Sequence, residues 1–227
     1  MKVTYYGHGC VAVHFGEHRL LFDPFISPNE RAKHIDVDAI EADYILLTHG
    51  HQDHIADVER IAKQNPGVKI ISNYEVANHF GAKDLDTHPL NHGGKFKFDF
   101  GYAKYTNAHH TSSFPDGSYA GHPGGFVIYG EAGCFYNAGD TGLTLDMKLI
   151  PMTCPKLNFA IFPIGDNFTM GYDDAAIAAE FVEVDRVLGI HYDTFGYIEI
   201  DHDAARAAFA KKGKELILVD IGETYEF

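Results

Sequence analysis

The first third of the chain has short apolar runs separated by turn residues, which is the pattern of β-strands. These runs predict strands over 2–6, 11–15, 19–22 and 44–47. After residue 54 the apolar spacing becomes helical, with Ile55, Val58, Ile61 and Ala62 on one face and Asn65-Pro66-Gly67 as the end. A strand over 68–71 and a short helix over 74–80, ended by Gly81, are predicted to follow.

The rest of the chain changes from hairpins to an alternation of strands and helices. Alternating aromatic and β-branched residues predict hairpins over 95–106 and 125–137. Strands are then predicted over 157–164, 186–190 and 215–219, and helices over 175–184 and 202–211. In the helix over 175–184 we expect Ile177 and Phe181 to face the core and Asp173 or Asp174 to be the N-cap. Mixed strands with helices outside them predict a layered α/β architecture.

Several apolar runs end directly in residues of the types that bind metals. Asp23 follows the run 21–22, His49 follows 44–48, Asp166 follows 162–165 and His191 follows 188–190. In α/β sheets, ligand sites gather at the carboxyl ends of strands, where loops converge. The pattern therefore predicts a single site built from four strand ends.

The segment His49-Gly50-His51-Gln52-Asp53-His54 is the densest group of such residues. In an extended segment, side chains two residues apart point the same way, so His49 and His51 can chelate one cation. A turn at Gln52 would direct Asp53 and His54 toward a second cation. A polar surface loop is the ordinary alternative, and four ligand-type residues within six make it the weaker one.

Two further features of this segment support metal binding. Gly50 permits a tight turn or a close approach to the metal. A helix starting near Ile55 would place its positive dipole end beside Asp53 and favour the ionised carboxylate. Imidazole and carboxylate ligands together favour zinc, and manganese, iron, cobalt and nickel are also compatible.

Composition restricts the class of protein. The chain has 227 residues, of which 45% are hydrophobic, enough for one large domain over 1–227. The formal net charge of −14 opposes binding to nucleic acid and to anionic membranes. Bound divalent cations would still make one cleft locally positive. The 15 histidines are consistent with metal binding.

The cysteines and the N-terminus point to the cytoplasm. Cys10, Cys134 and Cys154 have no metal-type spacing, and we expect them to be reduced thiols, with Cys10 and Cys134 packed in strands. Residues 1–6 lack a signal-peptide core, and no apolar run approaches the roughly 20 residues of a membrane span. We expect a cytoplasmic protein without a membrane partner. The sequence does not decide whether the protein forms a homo-oligomer.

The motif His-x-His-x-Asp-His after an apolar strand resembles the signature of the metallo-β-lactamase superfamily, whose fold is a four-layer αβ/βα sandwich with two mixed β-sheets. The resemblance covers nearly the whole chain, because Tyr6-Gly7-His8-Gly9, Leu21-Phe22-Asp23-Pro24-Phe25, Ala138-Gly139-Asp140-Thr141 and residues 163–171 follow in order. With Gly189-Ile190-His191-Tyr192, the set resembles the UPF0173 or YtkL-like metal-dependent hydrolases, which are related to the ascorbate-6-phosphate lactonases.

The resemblance implies two metal ions held by seven residues. His49 and His51 would hold the first metal with a third histidine; Asp53, His54 and His191 would hold the second, and Asp140 would bridge both. The family has one histidine before its Ser/Thr run, whereas this chain has His109 and His110. In an extended segment these two face opposite ways, so only one can ligate. The position directly before Thr111-Ser112-Ser113 favours His110, with His109 as the alternative.

Four more residues are candidates around the metals. Asp23 and His8 are candidate partners of the ligating residues, because a ligating imidazole usually donates its other N–H to a carboxylate or carbonyl. A turn aspartate and a strand-end histidine explain them equally well. Asp166 and Asn167, in a loop bounded by glycines, are candidates to line the cleft; a turn at the start of a helix explains them nearly as well.

The implied function is hydrolysis. A metal-bridged hydroxide would cleave an ester, lactone or phosphoester bond of a small metabolite, which we expect to be anionic. Asp53 would be the catalytic residue, orienting the nucleophile and passing its proton to the leaving group.

Four other functions are compatible with parts of the pattern. A true β-lactamase is disfavoured because no cysteine stands at a ligand position, and a flavodiiron-type protein because that branch has Glu where His51 stands. An RNA-processing nuclease is compatible with the fold but is disfavoured by the acidic charge, and a metallo-phosphodiesterase or nuclease-like member remains the alternative. A non-catalytic metal-binding protein is disfavoured because structural zinc sites are closed and four-coordinate rather than paired.

Overall fold

Two seven-stranded sheets form the centre of the computed structural model, which describes residues 1–227. The first sheet contains β1 (Lys2–Gly7), β2 (Cys10–Phe15), β3 (His18–Phe22), β4 (Tyr44–Leu46), β5 (Lys69–Ser72), β6 (Thr87–Pro89) and β14 (Thr224–Glu226). Its order is β14-β1-β2-β3-β4-β5-β6, antiparallel from β14 to β3 and parallel from β3 to β6.

The second sheet repeats this mixture in the second half of the chain. It contains β7 (Lys95–Phe98), β8 (Gly101–Asn107), β9 (Gly124–Gly130), β10 (Gly133–Asn137), β11 (Phe159–Pro163), β12 (Arg186–Ile190) and β13 (Glu215–Ile217). The strands from β7 to β10 are antiparallel neighbours, and those from β10 to β13 are parallel.

Helices cover the outer faces of both sheets, which gives the four-layer α/β sandwich that the sequence predicted. The α-helices are α1 (Gln52–Ile55), α2 (Val58–Gln64), α3 (Tyr74–Gly81), α4 (Leu149–Thr153), α5 (Tyr172–Phe181) and α6 (His202–Lys211). Short 3₁₀ helices lie at Glu30–Ala32, Val37–Ala39, Leu145–Lys148 and Gly196–Ile198. None of the helices is long and apolar enough to cross a bilayer.

The hydrophobic core follows the alternation of side chains along the strands. Leu20 and Phe22 of β3 face a cluster of 45 buried residues, whereas Leu21 between them faces a second cluster of 20. Both faces of β3 are therefore buried, which explains its unbroken apolar run. Cys10 and Cys134 are buried in β2 and β10, as predicted.

Two predictions about helices were wrong. The single helix predicted after the histidine motif is divided into α1 and α2, because Asp57 at the break is held by another segment. Its backbone N–H donates to the Pro24 carbonyl, and its carboxylate accepts from the backbone of Ile26 and Ser27 at 2.7 and 2.8 Å.

The helix predicted over 175–184 begins earlier and buries a different face. Its N-cap is Gly171, and Asp173 and Asp174 lie in its first turn instead. Four alanines of α5 are buried, while Ile177 and Phe181 are half-buried at its sides. Small side chains allow close packing of a helix against a sheet, so the alanines take the central positions.

Candidate metal centre

The seven predicted ligands lie together at the carboxyl ends of strands from both sheets. His49, His51, Asp53 and His54 follow β4, and His110, Asp140 and His191 follow β8, β10 and β12. Parallel strands in each sheet end at the same edge, and the two sheets bring these edges together.

One group consists of three histidines. Nε2 of His49 lies 2.9 Å from Nδ1 of His51. The ring of His110 lies 5.1 Å from that of His49 and 5.2 Å from that of His51. One nitrogen from each of the three lies within 4.8 Å of the others, which is close enough for a shared cation.

A second group contains Asp53, His54, His191 and His8. The Nε2 atoms of His54 and His191 each lie 3.8 Å from Oδ2 of Asp53. His54, His191 and His8 are buried, while the Asp53 side chain is 30% exposed. Asp53 is therefore the member of this group that solvent and small molecules can reach.

Asp140 lies between the two groups. Its Oδ2 is 2.9 Å from Nε2 of His191, 3.2 Å from Nε2 of His54 and 3.6 Å from Nε2 of His110. The side chain is 2% exposed, so this carboxylate oxygen is directed at both groups inside the protein.

The donor atoms of the centre are suited to coordinating a metal, and several of them form no hydrogen bond within the protein. Nε2 of His54, Nε2 of His191 and Oδ1 of Asp140 are buried and make no hydrogen bond. Buried polar atoms without partners are costly, and such a group needs a ligand or an ion. Nitrogen and carboxylate oxygen donors at these separations suit zinc and neighbouring divalent metals.

Burial and charge divide the histidines into two electrostatic classes. Burial lowers the pKa of His49, His51 and His110, which keeps their imidazoles neutral and their lone pairs available. Burial also lowers the pKa of His191, but the Asp140 carboxylate more than offsets this and raises it to about 9. Asp140 likewise raises the pKa of His54 against burial.

The two carboxyl groups are held in the ionised form. Burial raises the pKa of Asp53, but His54, His191 and His8 together move it far below the ordinary range. Burial is again opposed at Asp140, where His191 and His54 hold the pKa of the carboxyl well below its usual value. The centre thus presents two carboxylates among imidazoles, the donor set of a cation site.

Asp23 and Thr48 orient the histidines that follow β4. Oδ1 of Asp23 accepts from the Thr48 N–H at 2.8 Å, and Oδ2 accepts from its hydroxyl at 2.6 Å and lies 3.0 Å from Nδ1 of His54. Because the hydroxyl proton goes to Asp23, Thr48 Oγ1 can only accept from Nδ1–H of His49, 3.0 Å away. Nε2 of His49 is then the nitrogen with a free lone pair.

His8 lies closer to the centre than a strand-end histidine requires. Its Nε2 donates to Oδ2 of Asp53 at 2.9 Å, and its Nδ1 lies 3.0 Å from Oγ1 of Thr194. Burial lowers the pKa of His8 to about 4, so it carries one proton at neutral pH. Thr194 then donates to Nδ1, and the pair fixes the position of the Asp53 carboxylate.

Thr48 and Thr194 were not singled out from the sequence. A threonine at the end of a strand predicts a turn as readily as a contact with a histidine, so the chain carries no signal that distinguishes them. Their role depends on Asp23 and His8, which reach them from other strands.

Comparison with known proteins agrees with the arrangement of strands and ligand-type residues. The model of the β-lactamase superfamily domain matches residues 18–192. A UPF0173 metal-dependent hydrolase from Christiangramia forsetii is 59% identical over 227 residues, with 100% of both chains covered. The chain belongs to the UPF0173 metal-dependent hydrolases of the metallo-β-lactamase superfamily.

Other members and a solved structure extend this likeness. The UPF0173 metal-dependent hydrolase YtkL of Bacillus subtilis is 43% identical over 232 residues, again with 100% of both chains covered. The structure of Igni18, a metallo hydrolase from the archaeon Ignicoccus hospitalis, has a TM-score of 0.88 and 29% identity, covering 100% of this chain and 98% of that one.

The backbone of this UPF0173 hydrolase is strained at several of the strand ends. His8, Asp23 and His191 have φ angles of 53°, 45° and 56°, in the left-handed region that residues other than glycine rarely adopt. Such strain is held in place by surrounding contacts and clusters at functional sites. Here it directs a histidine or aspartate toward the centre immediately after each strand.

Packing, rather than a turn, requires glycine at position 50. Its φ is not in the left-handed region, so no turn demands glycine here. A Cβ at position 50 would overlap the Cβ of Ala120 and crowd the ring of Phe114. The close approach is therefore to the 111–122 loop, which packs directly on the histidine motif.

The two candidate lining residues, Asp166 and Asn167, are exposed in the loop after β11. Both have left-handed φ angles, 61° and 56°, and the Asp166 carboxylate accepts from the Asn167 N–H at 2.8 Å. The loop begins beside His191, because a Cβ on Gly165 would overlap the His191 carbonyl oxygen. It therefore lies at the rim of the centre.

His109 and His110 occupy different environments. The His110 ring lies within the three-histidine group, whereas His109 is exposed and contributes its backbone N–H to Thr141 Oγ1 at 2.9 Å. We expect His110→Ala to remove high-affinity binding of a metal at the three-histidine group, because it deletes one of three nitrogen donors.

The matched control for this prediction is His109→Ala, which removes a neighbouring imidazole and keeps the Thr141 contact. It should bind metal as the unmodified protein does, measured by isothermal titration with zinc. Loss of binding in His109→Ala, with retention in His110→Ala, would place the ligand one residue earlier.

Proposed function

We propose that this protein is a binuclear hydrolase that cleaves an ester, lactone or phosphoester bond of a small molecule. His49, His51 and His110 would hold the first metal and Asp53, His54 and His191 the second, with Asp140 shared. The observation that carries the proposal is Oδ2 of Asp140, one buried oxygen 3.6 Å from His110 of the first group and 2.9 Å from His191 of the second.

When bound, two divalent cations would supply a water of lowered pKa and a Lewis acid for the oxygen of the scissile group. The chain provides a partly exposed carboxylate beside this position. Asp53 would orient the attacking water, accept its proton and pass that proton to the leaving group. His8 and Thr194 would hold Asp53 in place for both tasks.

The metal content of the protein tests the binuclear part of the proposal. After zinc saturation at neutral pH and removal of free metal, we expect two equivalents per chain by elemental analysis. Zinc is the expected metal because nitrogen and carboxylate donors in low coordination suit it.

A control is needed because the chain has 15 histidines, some of which could bind zinc weakly. The double variant His49→Ala/His191→Ala removes one donor from each metal position and leaves the other histidines in place. It should retain almost no zinc. At most one equivalent in the unmodified protein, or two in the double variant, would contradict the binuclear centre.

A further inference from the structure

The second group of ligands is bordered by aromatic side chains that the proposed chemistry does not use. The rings of Phe25 and Phe195 lie 5.4 and 5.2 Å from the His8 ring and 6.4 Å from each other. Because His8 donates to Asp53, these two rings lie one side chain away from the exposed carboxylate.

A second pair of aromatic rings joins the loop of Phe195 to the loop after β11. Tyr197 lies two residues further along the same loop, and its ring is 6.3 Å from that of Phe168 in the loop after β11. We name Phe25, Phe195, Tyr197 and Phe168 the aromatic wall. Phe25 is buried, while Phe195, Phe168 and Tyr197 are 40%, 50% and 79% exposed.

Such exposure has a cost that a ligand would remove. Large aromatic side chains in water are unfavourable, and grouped exposed apolar residues mark sites where something binds. The three exposed members lie on two loops that both begin at strand ends of the metal centre, after β11 and β12, and the first of these starts directly beside His191. The position favours a substrate group placed next to the reacting bond.

The charge of the surrounding segments is equally informative. The segments that carry the two ligand groups and the wall are 7–10, 23–29, 48–57, 108–122, 139–145, 164–171 and 191–200, and they contain no lysine or arginine. Sites that select phosphate or carboxylate groups use these residues, arginine above all, for charge-assisted hydrogen bonds.

The metals themselves would leave little positive charge for an anion. The carboxylates of Asp23, Asp53 and Asp140 lie within the centre and would offset most of the charge of two divalent cations. Asp166 at the rim adds another negative charge, and the chain as a whole has a formal charge of −14.

We infer that the aromatic wall selects an uncharged ester or lactone that carries an aromatic ring next to the scissile bond. This inference rests on the proposed function and replaces the anionic metabolite that the sequence suggested. The ring packs against Phe195 and Tyr197 while the scissile carbonyl lies beside Asp53.

Three esters test the inference on the zinc-loaded protein. Phenyl acetate carries the neutral ring, 4-acetoxybenzoate adds a carboxylate at the far side of the ring, and methyl acetate lacks the ring. We expect kcat/KM to be at least about tenfold higher for phenyl acetate than for 4-acetoxybenzoate. Equal or better hydrolysis of 4-acetoxybenzoate would overturn the inference and leave the hydrolase proposal intact.

The variant Phe195→Ala tests the wall itself, with zinc content measured in parallel. We expect the phenyl acetate to methyl acetate ratio of kcat/KM to fall about tenfold, mainly through KM, because ring packing is lost. Phe96→Ala is the matched control, since Phe96 is 47% exposed in the edge strand β7, outside these loops. An equal loss on both esters in Phe195→Ala would count against a specific ring contact.

Direct binding separates the two proposals. Acetophenone and 4-acetylbenzoate are ketone counterparts of the two aryl esters and are not hydrolysed. By NMR titration, acetophenone should bind the zinc-loaded protein more tightly than 4-acetylbenzoate, and Phe195→Ala should weaken it. If acetophenone binds in this way while no ester is cleaved, the hydrolase proposal fails and the preference of the aromatic wall for an uncharged ring stands. If acetophenone does not bind, the inferred role of the aromatic wall is wrong.

Discussion

Asp53→Asn is expected to lose at least about a hundredfold in kcat on any ester or lactone that the protein cleaves. Asparagine keeps the volume and one oxygen of the side chain, but it has no negative charge and accepts no proton. The remaining oxygen can still accept from His8, so the geometry around the residue should be retained. The measurement is kcat with zinc content determined on the same sample.

The fold should survive this substitution. Asp53 lies in the single turn of α1 and belongs to neither hydrophobic cluster. We expect unchanged binding of the first metal and weakened binding of the second, which His54, His191 and Asp140 would still contact.

Asp99→Asn serves as the control for charge alone, because Asp99 is exposed in the turn between β7 and β8. It should leave kcat unchanged. Near-normal kcat in Asp53→Asn with both metals bound would make Asp53 a bystander and exclude the proton-transfer role proposed for it.

Asp140→Ala is expected to have the largest effect on the metal centre. It removes the one oxygen that lies near His54, His191 and His110 together. We expect at most one equivalent of zinc to remain and activity to fall by about a thousandfold or more, since the cations supply several kcal/mol of transition-state stabilisation. Elemental analysis and kcat/KM on the same preparation measure both effects.

The protein should nevertheless fold. Asp140 raises the pKa of His191 and of His54, so its removal lowers both and favours the neutral imidazoles, which are less costly to bury. Asp140→Asn, which keeps the shape, should show the same loss of zinc, because the charge and not the volume is decisive. Two equivalents of zinc and near-normal activity in either variant would rule out a shared ligand at this position.

The correctly predicted elements are those whose bounds are determined by the local sequence pattern. The strand over 186–190 and the helix over 202–211 have the predicted bounds, because apolar spacing and, for α6, the Asp201 cap specify them locally. The geometry of the histidine motif is likewise determined by local sequence. The spacing of His49 and His51 in an extended segment places their nitrogens 2.9 Å apart, since side-chain direction repeats every two residues.

The wrong predictions concern features that depend on neighbours. Hydrophobicity alone predicts that Ile177 and Phe181 face inward, but the alanines of α5 are its fully buried residues, and Phe181 only partly packs against the core. A turn does not require Gly50, but Ala120 and Phe114 of a distant loop fill the space beside it. No pattern in one segment shows which other segment will pack on it.

The sequence by itself determined the family, the four-layer fold and the list of ligand-type residues, because local spacing and strand-end positions carry that information. Only the tertiary structure decided that His110 rather than His109 points into the three-histidine group, and that Thr48 and Thr194 hold Asp23 and His8. It also decided that Phe25 and Phe195, from separate loops, meet at His8 beside Asp53, and that Phe168 meets Tyr197 from a third loop. Contacts between residues far apart in the chain depend on how the two sheets pack against each other. The relative position of the sheet edges depends on the packing of the entire core.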